Sequence, residues 1–171
     1  MIGDDESLDG MLTAIEVDPS RDLIIDLSAQ SAQRINHWIE ETDVFGLLSE
    51  MGMQVMWWHV MDDGADSVEL LSQVLARYQA QPVEVEVVVQ NYGRGESFSR
   101  FQQSDAFQQS KVQGATLIEL PKLHAKLTQK IDFNNASFWA VANDRTIMNI
   151  AERQRMRVWL RNAYQQFGFL T

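Results

Sequence analysis

The run Val83-Glu84-Val85-Glu86-Val87-Val88-Val89-Gln90 constrains the fold most. It opens by alternating apolar and acidic residues and closes continuously apolar. That pattern reads as a strand whose start is half-exposed and whose end lies under helices. Three other short apolar runs have strand character: residues 22–27, Gln54–His59 and Thr116–Leu120. In the second of these, Trp57 and Trp58 are adjacent, so they point to opposite faces of a sheet and call for cover on both sides.

Helix-period segments separate the runs, at about 31–51 (interrupted near Thr42 to Phe45), 66–80 and 103–113. Asp66-Ser67-Val68-Glu69 predicts a helix start with Asp66 as N-cap. Pro82 and Gly114 fall in the connections that return to strands. After residue 120 the pattern is helical throughout, over 122–132, 135–142 and 146–167. In the last segment Met156, Trp159, Leu160, Ala163 and Phe167 form an apolar stripe, with Arg153, Arg157 and Arg161 beside it. The alternation predicts an α/β fold: a mostly parallel sheet with flanking helices in three layers, then a helical C-terminal part. The expected organisation is one domain over 1–171, with the sheet region spanning about 20–121.

Composition narrows the function. With 45% hydrophobic residues, five Trp and eight Phe, the chain has the material for a packed core. It has no cysteine, which excludes disulfides and thiolate metal sites and makes the cytoplasm the expected compartment. No apolar run is long enough for a membrane span. The net charge of −10 is unevenly spread. Residues 122–171 hold eight Lys/Arg against three Asp/Glu, leaving six against 21 in residues 1–121. So acidic a body argues against direct DNA binding.

Residues able to carry chemistry lie where the runs end. Asp26 closes Asp22-Leu23-Ile24-Ile25-Asp26, and Leu27-Ser28-Ala29-Gln30 follows. An acid at the carboxyl end of a buried parallel strand could hold a Mg²⁺ ion through water, or simply cap the next helix. Gln30 could orient a water or begin that helix. His59, Asp62 and Asp63 could ligate a divalent metal, although Asp-Asp-Gly is also ordinary turn chemistry. Asn91 precedes Tyr92-Gly93-Arg94-Gly95, where an amide could read a base edge and glycines permit close backbone approach. The arginine stripe is either a solvated face or a site for phosphate, an acidic partner or a membrane surface. Nowhere is there a G-x-x-x-x-G-K-[ST] loop.

The order of these pieces resembles a known family. Ser7-Leu8-Asp9-Gly10, Asp22 to Gln30, Trp58 to Gly64, Gln90 to Gly95, Asn135 to Ala140 and Glu152 to Tyr164 are similar to the later part of ParA/MinD-type deviant Walker ATPases. The closer likeness is to the plasmid-borne nucleotide-binding proteins of conjugal transfer and mobilisation (the TraL/MobD-like group). By that resemblance Asp26 is the Walker B acid, touching the metal through water, and Gln30 lies in the switch loop. Asn91 and Pro121 are the adenine-side residues, and ATP with Mg²⁺ is the family's cofactor. Two features depart from the family pattern: Leu27-Ser28-Ala29 replaces the usual proline after the acid, and the phosphate loop precedes the region matched here. The resemblance therefore implies a P-loop-less remnant, inactive alone as an ATPase. Such a protein would bind a second copy or a partner in the transfer machinery, across a sheet edge or groove left open. The alternatives are a hydrolase whose phosphate loop comes from a missing segment or second chain, and an unrelated α/β protein–protein adaptor.

Overall fold

The computed structural model describes residues 5–20, 22–27, 31–79 and 84–168. They belong to two compact units, Met1–Val55 with Ala80–Val83, and Met56–Gln79 with Glu84–Thr171.

In the first unit the described elements are helices: α1 (Asp5–Val17), α2 (Ala32–Thr42) and α3 (Val44–Glu50). The Trp38 indole N–H donates to Asp9 Oδ1 at 2.9 Å and ties α2 to α1. Ile35, Trp38 and Ile39 on α2 recur at helical spacing and are buried, as are Val44, Phe45 and Leu48 on α3. The expected interruption near Thr42 to Phe45 is present. Asp43 takes a left-handed conformation (φ 47°), and its N–H closes α2 on the Ile39 carbonyl. Sequence periodicity did not predict α1.

The strand expected over residues 22–27 is not formed. The backbone there is irregular and all six residues are exposed, Ile24 at 94%. A buried parallel strand needs ladder partners, and among the described residues no strand pairs with this run. The sheet therefore starts at Met56 rather than near residue 20.

The second unit runs β1 (Met56–Met61), α4 (Ala65–Tyr78), β2 (Glu84–Asn91), α5 (Ser99–Gln102), α6 (Asp105–Val112), β3 (Thr116–Leu120), α7 (Ala125–Phe133), α8 (Phe138–Asn143) and α9 (Ile150–Gln166). The three strands are parallel, in the order β1-β2-β3. The β1–β2 ladder carries an irregularity: Trp57 faces Val85 while Trp58 faces Val87, so Glu86 is an extra residue on β2.

Both faces of the sheet carry packed side chains, as the two tryptophans call for, although Met56 and Val60 of β1 stay exposed. On one face Trp57 packs beside Tyr78, ring centroids 5.0 Å apart, against Met61, Leu71, Leu75, Val88, Phe98 and Phe101. On the other, Val87, Val89 and Ile118 pack with Trp58, which stacks on Phe167 at 5.5 Å. Burying a leucine such as Leu71 or Leu75 contributes about 2 kcal/mol. A third cluster joins the C-terminal helices through Leu127, Ile131, Val141, Met148 and Met156.

The start of α4 differs from expectation. Gly64 is its N-cap, and Asp66 sits in the first turn without a capping bond. Asp62 explains the shift, because its carboxylate binds the Gly64 N–H (2.9 Å) and the Ser67 hydroxyl (2.6 Å). That Asx turn starts the helix earlier.

Candidate functional site at the carboxyl edge of the sheet

Parallel strands bring their carboxyl ends to one edge, where open α/β sheets place ligands. Three loops meet there: Asp62-Asp63-Gly64 after β1, Tyr92 to Phe98 after β2, and Pro121 to His124 after β3. Asn91 faces Leu120 in the ladder, and the Tyr92 N–H extends the pairing to the Leu120 carbonyl at 3.0 Å. Asn91, in the last pair of the β2–β3 ladder, and Pro121, the residue just after β3, therefore stand at neighbouring strand ends.

Asn91 Oδ1 accepts from the Gly93 N–H at 3.0 Å. Its carbonyl accepts from the Arg94 and Gly95 N–H groups at 2.9 and 3.1 Å, turning the chain sharply. No partner for Asn91 Nδ2 exists among the described residues, so this amide retains a donor at the edge. The Pro121 carbonyl is taken by the Trp159 indole N–H at 2.8 Å, which ties α9 to the β3 loop.

The two aspartates hold loops rather than stand open. Asp63 Oδ2 accepts from the N–H groups of Glu96 (2.8 Å) and Ser97 (3.3 Å), joining the first loop to the second. These two donors hold its carboxyl below the ordinary aspartate range. The Ser67 hydroxyl, and after it the Gly64 N–H, do the same for Asp62. His59 Nε2–H donates to the Ser67 carbonyl at 3.1 Å. Burial holds its imidazole below the usual value against the opposing effect of that bond, which leaves it neutral at pH 7. The three side chains considered as a metal site thus serve the turn, and no metal-holding cluster occurs among the described residues.

Gly95 has a physical reason that does not involve a ligand. A Cβ there would meet Asp63 Cβ, Cγ and backbone N at 2.9 Å, so the close approach is loop to loop. Lys122 and Glu96 add an exposed pair at 3.8 Å between the second and third loops, an interaction of small energetic weight.

Asp26 belongs to the first unit, on exposed irregular backbone. Gln30 and Ser28 lie outside the described residues. The structure therefore joins Asn91 and Pro121 but does not place Asp26 on a strand. Sequence reasoning missed the Asp63 staple and the Trp159–Pro121 bond. Asp-Asp-Gly before a helix signals the turn, but no local pattern reveals partners 33 and 38 residues away.

These features define an α/β protein with a three-stranded parallel sheet, flanking helices and a loop-lined carboxyl edge. The chain is similar to Protein TraL of Escherichia coli, 25% identical over 176 aligned residues that take in 97% of this chain and 73% of that protein. No family model matches the chain, and no solved structure does. Among the described residues no helix is long and apolar enough to cross a membrane.

Proposed function

We propose that this chain is a ParA/MinD-like component of plasmid conjugal transfer that acts through binding and does not hydrolyse nucleotide by itself. One observation carries the reading. The carboxyl edge sets Asn91 beside the Pro121 loop, while the sequence has no glycine-lysine loop to grip phosphates. The likeness to TraL along nearly the whole chain supplies the transfer context. Adenine-side groups without phosphate contacts give weak affinity, because the phosphates normally provide most of it through backbone N–H groups and lysine charge. In this reading Asp26 and Gln30 are relics of the metal and switch positions, and the protein works in the cytoplasm.

Its partner is a second copy or another transfer protein. The open side of the sheet supports this: β1 pairs on one edge with β2 and has no second strand among the described residues. The same openness supports the second reading, in which another segment or chain supplies the phosphate loop and completes a hydrolase.

Calorimetry with ATP and ADP, with and without Mg²⁺, separates the two, combined with phosphate release by the chain and its Asn91→Ala and Asp26→Ala variants. The expected result is affinity no tighter than about millimolar, about 4 kcal/mol, and no turnover. Tight binding with turnover that Asp26→Ala abolishes would establish the hydrolase instead.

A further inference from the structure

Away from the sheet edge, α8 and α9 enclose an open groove of about 450 Å³. Trp139, Leu160 and Tyr164 supply its apolar surface, and Asn143, Arg157 and Arg161 its polar margin. Trp139 and Tyr164 are 66% and 59% exposed although both are large rings, and neither belongs to the buried clusters. The inward face of α9 is already satisfied: Met156 is fully buried, and Trp159 stacks on Phe138 at 5.1 Å. The groove therefore continues the apolar stripe of α9 outward: Leu160 packs on the buried cluster, and Trp139 and Tyr164 extend that surface to solvent.

Its charge is unbalanced. Four arginines and one glutamate lie on α9. That glutamate, Glu152, is bound by Lys130 at 2.7 Å and by the Asn149 N–H. Arg153 donates to the Met148 carbonyl at 2.8 Å. Arg157 has only a long contact, 3.5 Å, to Asn143 Oδ1, and among the described residues no carboxylate pairs with Arg157 or Arg161. Four residues apart, the two guanidiniums stand one helical turn apart on the groove's margin.

We propose that the α8–α9 groove docks a short acidic peptide segment of a partner protein. A bulky apolar side chain of that segment would lie between Trp139, Leu160 and Tyr164, with flanking carboxylates on Arg157 and Arg161. Charge complementarity selects this occupant over a longer polyanion. The chain carries a net charge of −10, which repels a long polyanion as a whole. A peptide with one or two carboxylates experiences mainly the local arginines, because screening confines exposed charges to about 8 Å at physiological salt. An aromatic floor with arginines at its margin is also the composition that dominates protein–protein hot spots.

The proposal deepens the binding role proposed above but uses none of the nucleotide-edge residues, so nucleotide calorimetry on the same variants distinguishes failure of one from failure of the other. The test is fluorescence polarisation of a short labelled peptide alternating Glu with Leu and Phe, against a Lys-for-Glu version. Arg157→Glu/Arg161→Glu and Trp139→Ala are each expected to weaken the acidic peptide about tenfold or more. Binding should also fall with added salt, and the Lys version should bind the charge-reversed variant better than the wild type. These exposed positions should leave the circular dichroism unchanged. Absence of acidic-peptide binding, equal binding of both peptides, or indifference to both variants would overturn the proposal. So would preferential, variant-sensitive binding of oligo-dT or of phosphatidylglycerol vesicles, which would give the groove to a polyanion or a lipid surface.

Discussion

Gln90 is the residue whose chemistry is least settled by its surroundings. It is 4% exposed near the carboxyl end of the central strand, opposite Met61 and Glu119. Its Oε1 has no hydrogen-bond partner among the described residues. An unsatisfied buried acceptor costs about 1–3 kcal/mol, whereas an apolar replacement of similar shape removes that cost. Gln90→Met is therefore expected to stabilise the fold by about 1 kcal/mol, read as a higher urea midpoint with an unchanged slope. A loss of stability would mean that Oε1 is satisfied in solution by a buried water. The sequence made Asn91 legible as a chain-turning amide, because Asn-x-Gly is local chemistry. It could not mark Gln90, since burial of a strand residue is decided by helices remote in sequence. Asp26 shows the converse error. Its run has the composition of a strand, but composition cannot supply ladder partners, and the six residues stay exposed.

At the scale of elements, the presence of each C-terminal helix was legible from periodicity, but its start was not, because the cap that sets it was not read. The sequence places a helix over 146–167, and α9 starts at Ile150 because Asn149 closes a reciprocal cap. Asn149 Oδ1 accepts from the Glu152 N–H and Glu152 Oε2 from the Asn149 N–H, each at 3.0 Å. Lys130 reaches Glu152 from α7, so this cap also joins two helices. At α4 the one cap expected from sequence, Asp66, is displaced because the Asp62 turn takes over the start. Asn149→Ala is expected to cost about 1 kcal/mol, measurable as a lower thermal midpoint. The Lys130 ammonium, and after it the Asn149 N–H, hold the Glu152 carboxyl below its ordinary range. A depressed carboxylate stabilises the fold above its unfolded pKa, and that contribution disappears as pH falls through the lower folded value. Glu152→Gln should therefore match the wild type in acid and fall behind it as pH rises through the ordinary glutamate range, near about 4.3. A constant gap at all pH values would mean that packing, not charge, is what Glu152 contributes.

For the whole molecule, the helical tail and three of four predicted strands were readable because periodicity is a local property. How many strands the sheet holds was not readable, since it depends on pairing. The outcome is a three-stranded sheet in which β1 has one strand neighbour among the described residues. On the face of β1 that also carries Trp58, Met56 is 41% and Val60 59% exposed, while Met61 on the other face is 1% exposed. An unpaired parallel edge with apolar residues beside it is a template for another strand, and natural sheets blunt such edges with lysine. If this edge serves a second copy, sedimentation velocity should show association that rises with concentration. Val60→Lys should raise the dimer Kd about tenfold, a change of about 1.4 kcal/mol. Because Val60 is exposed, the same variant should keep its circular dichroism and unfolding midpoint, which separates a lost interface from a damaged fold. A chain monomeric at every concentration, with Val60→Lys indistinguishable from it, would assign the edge to a different protein. A mixture in which that protein protects the β1 and β2 amides from hydrogen exchange would then identify the strand it adds.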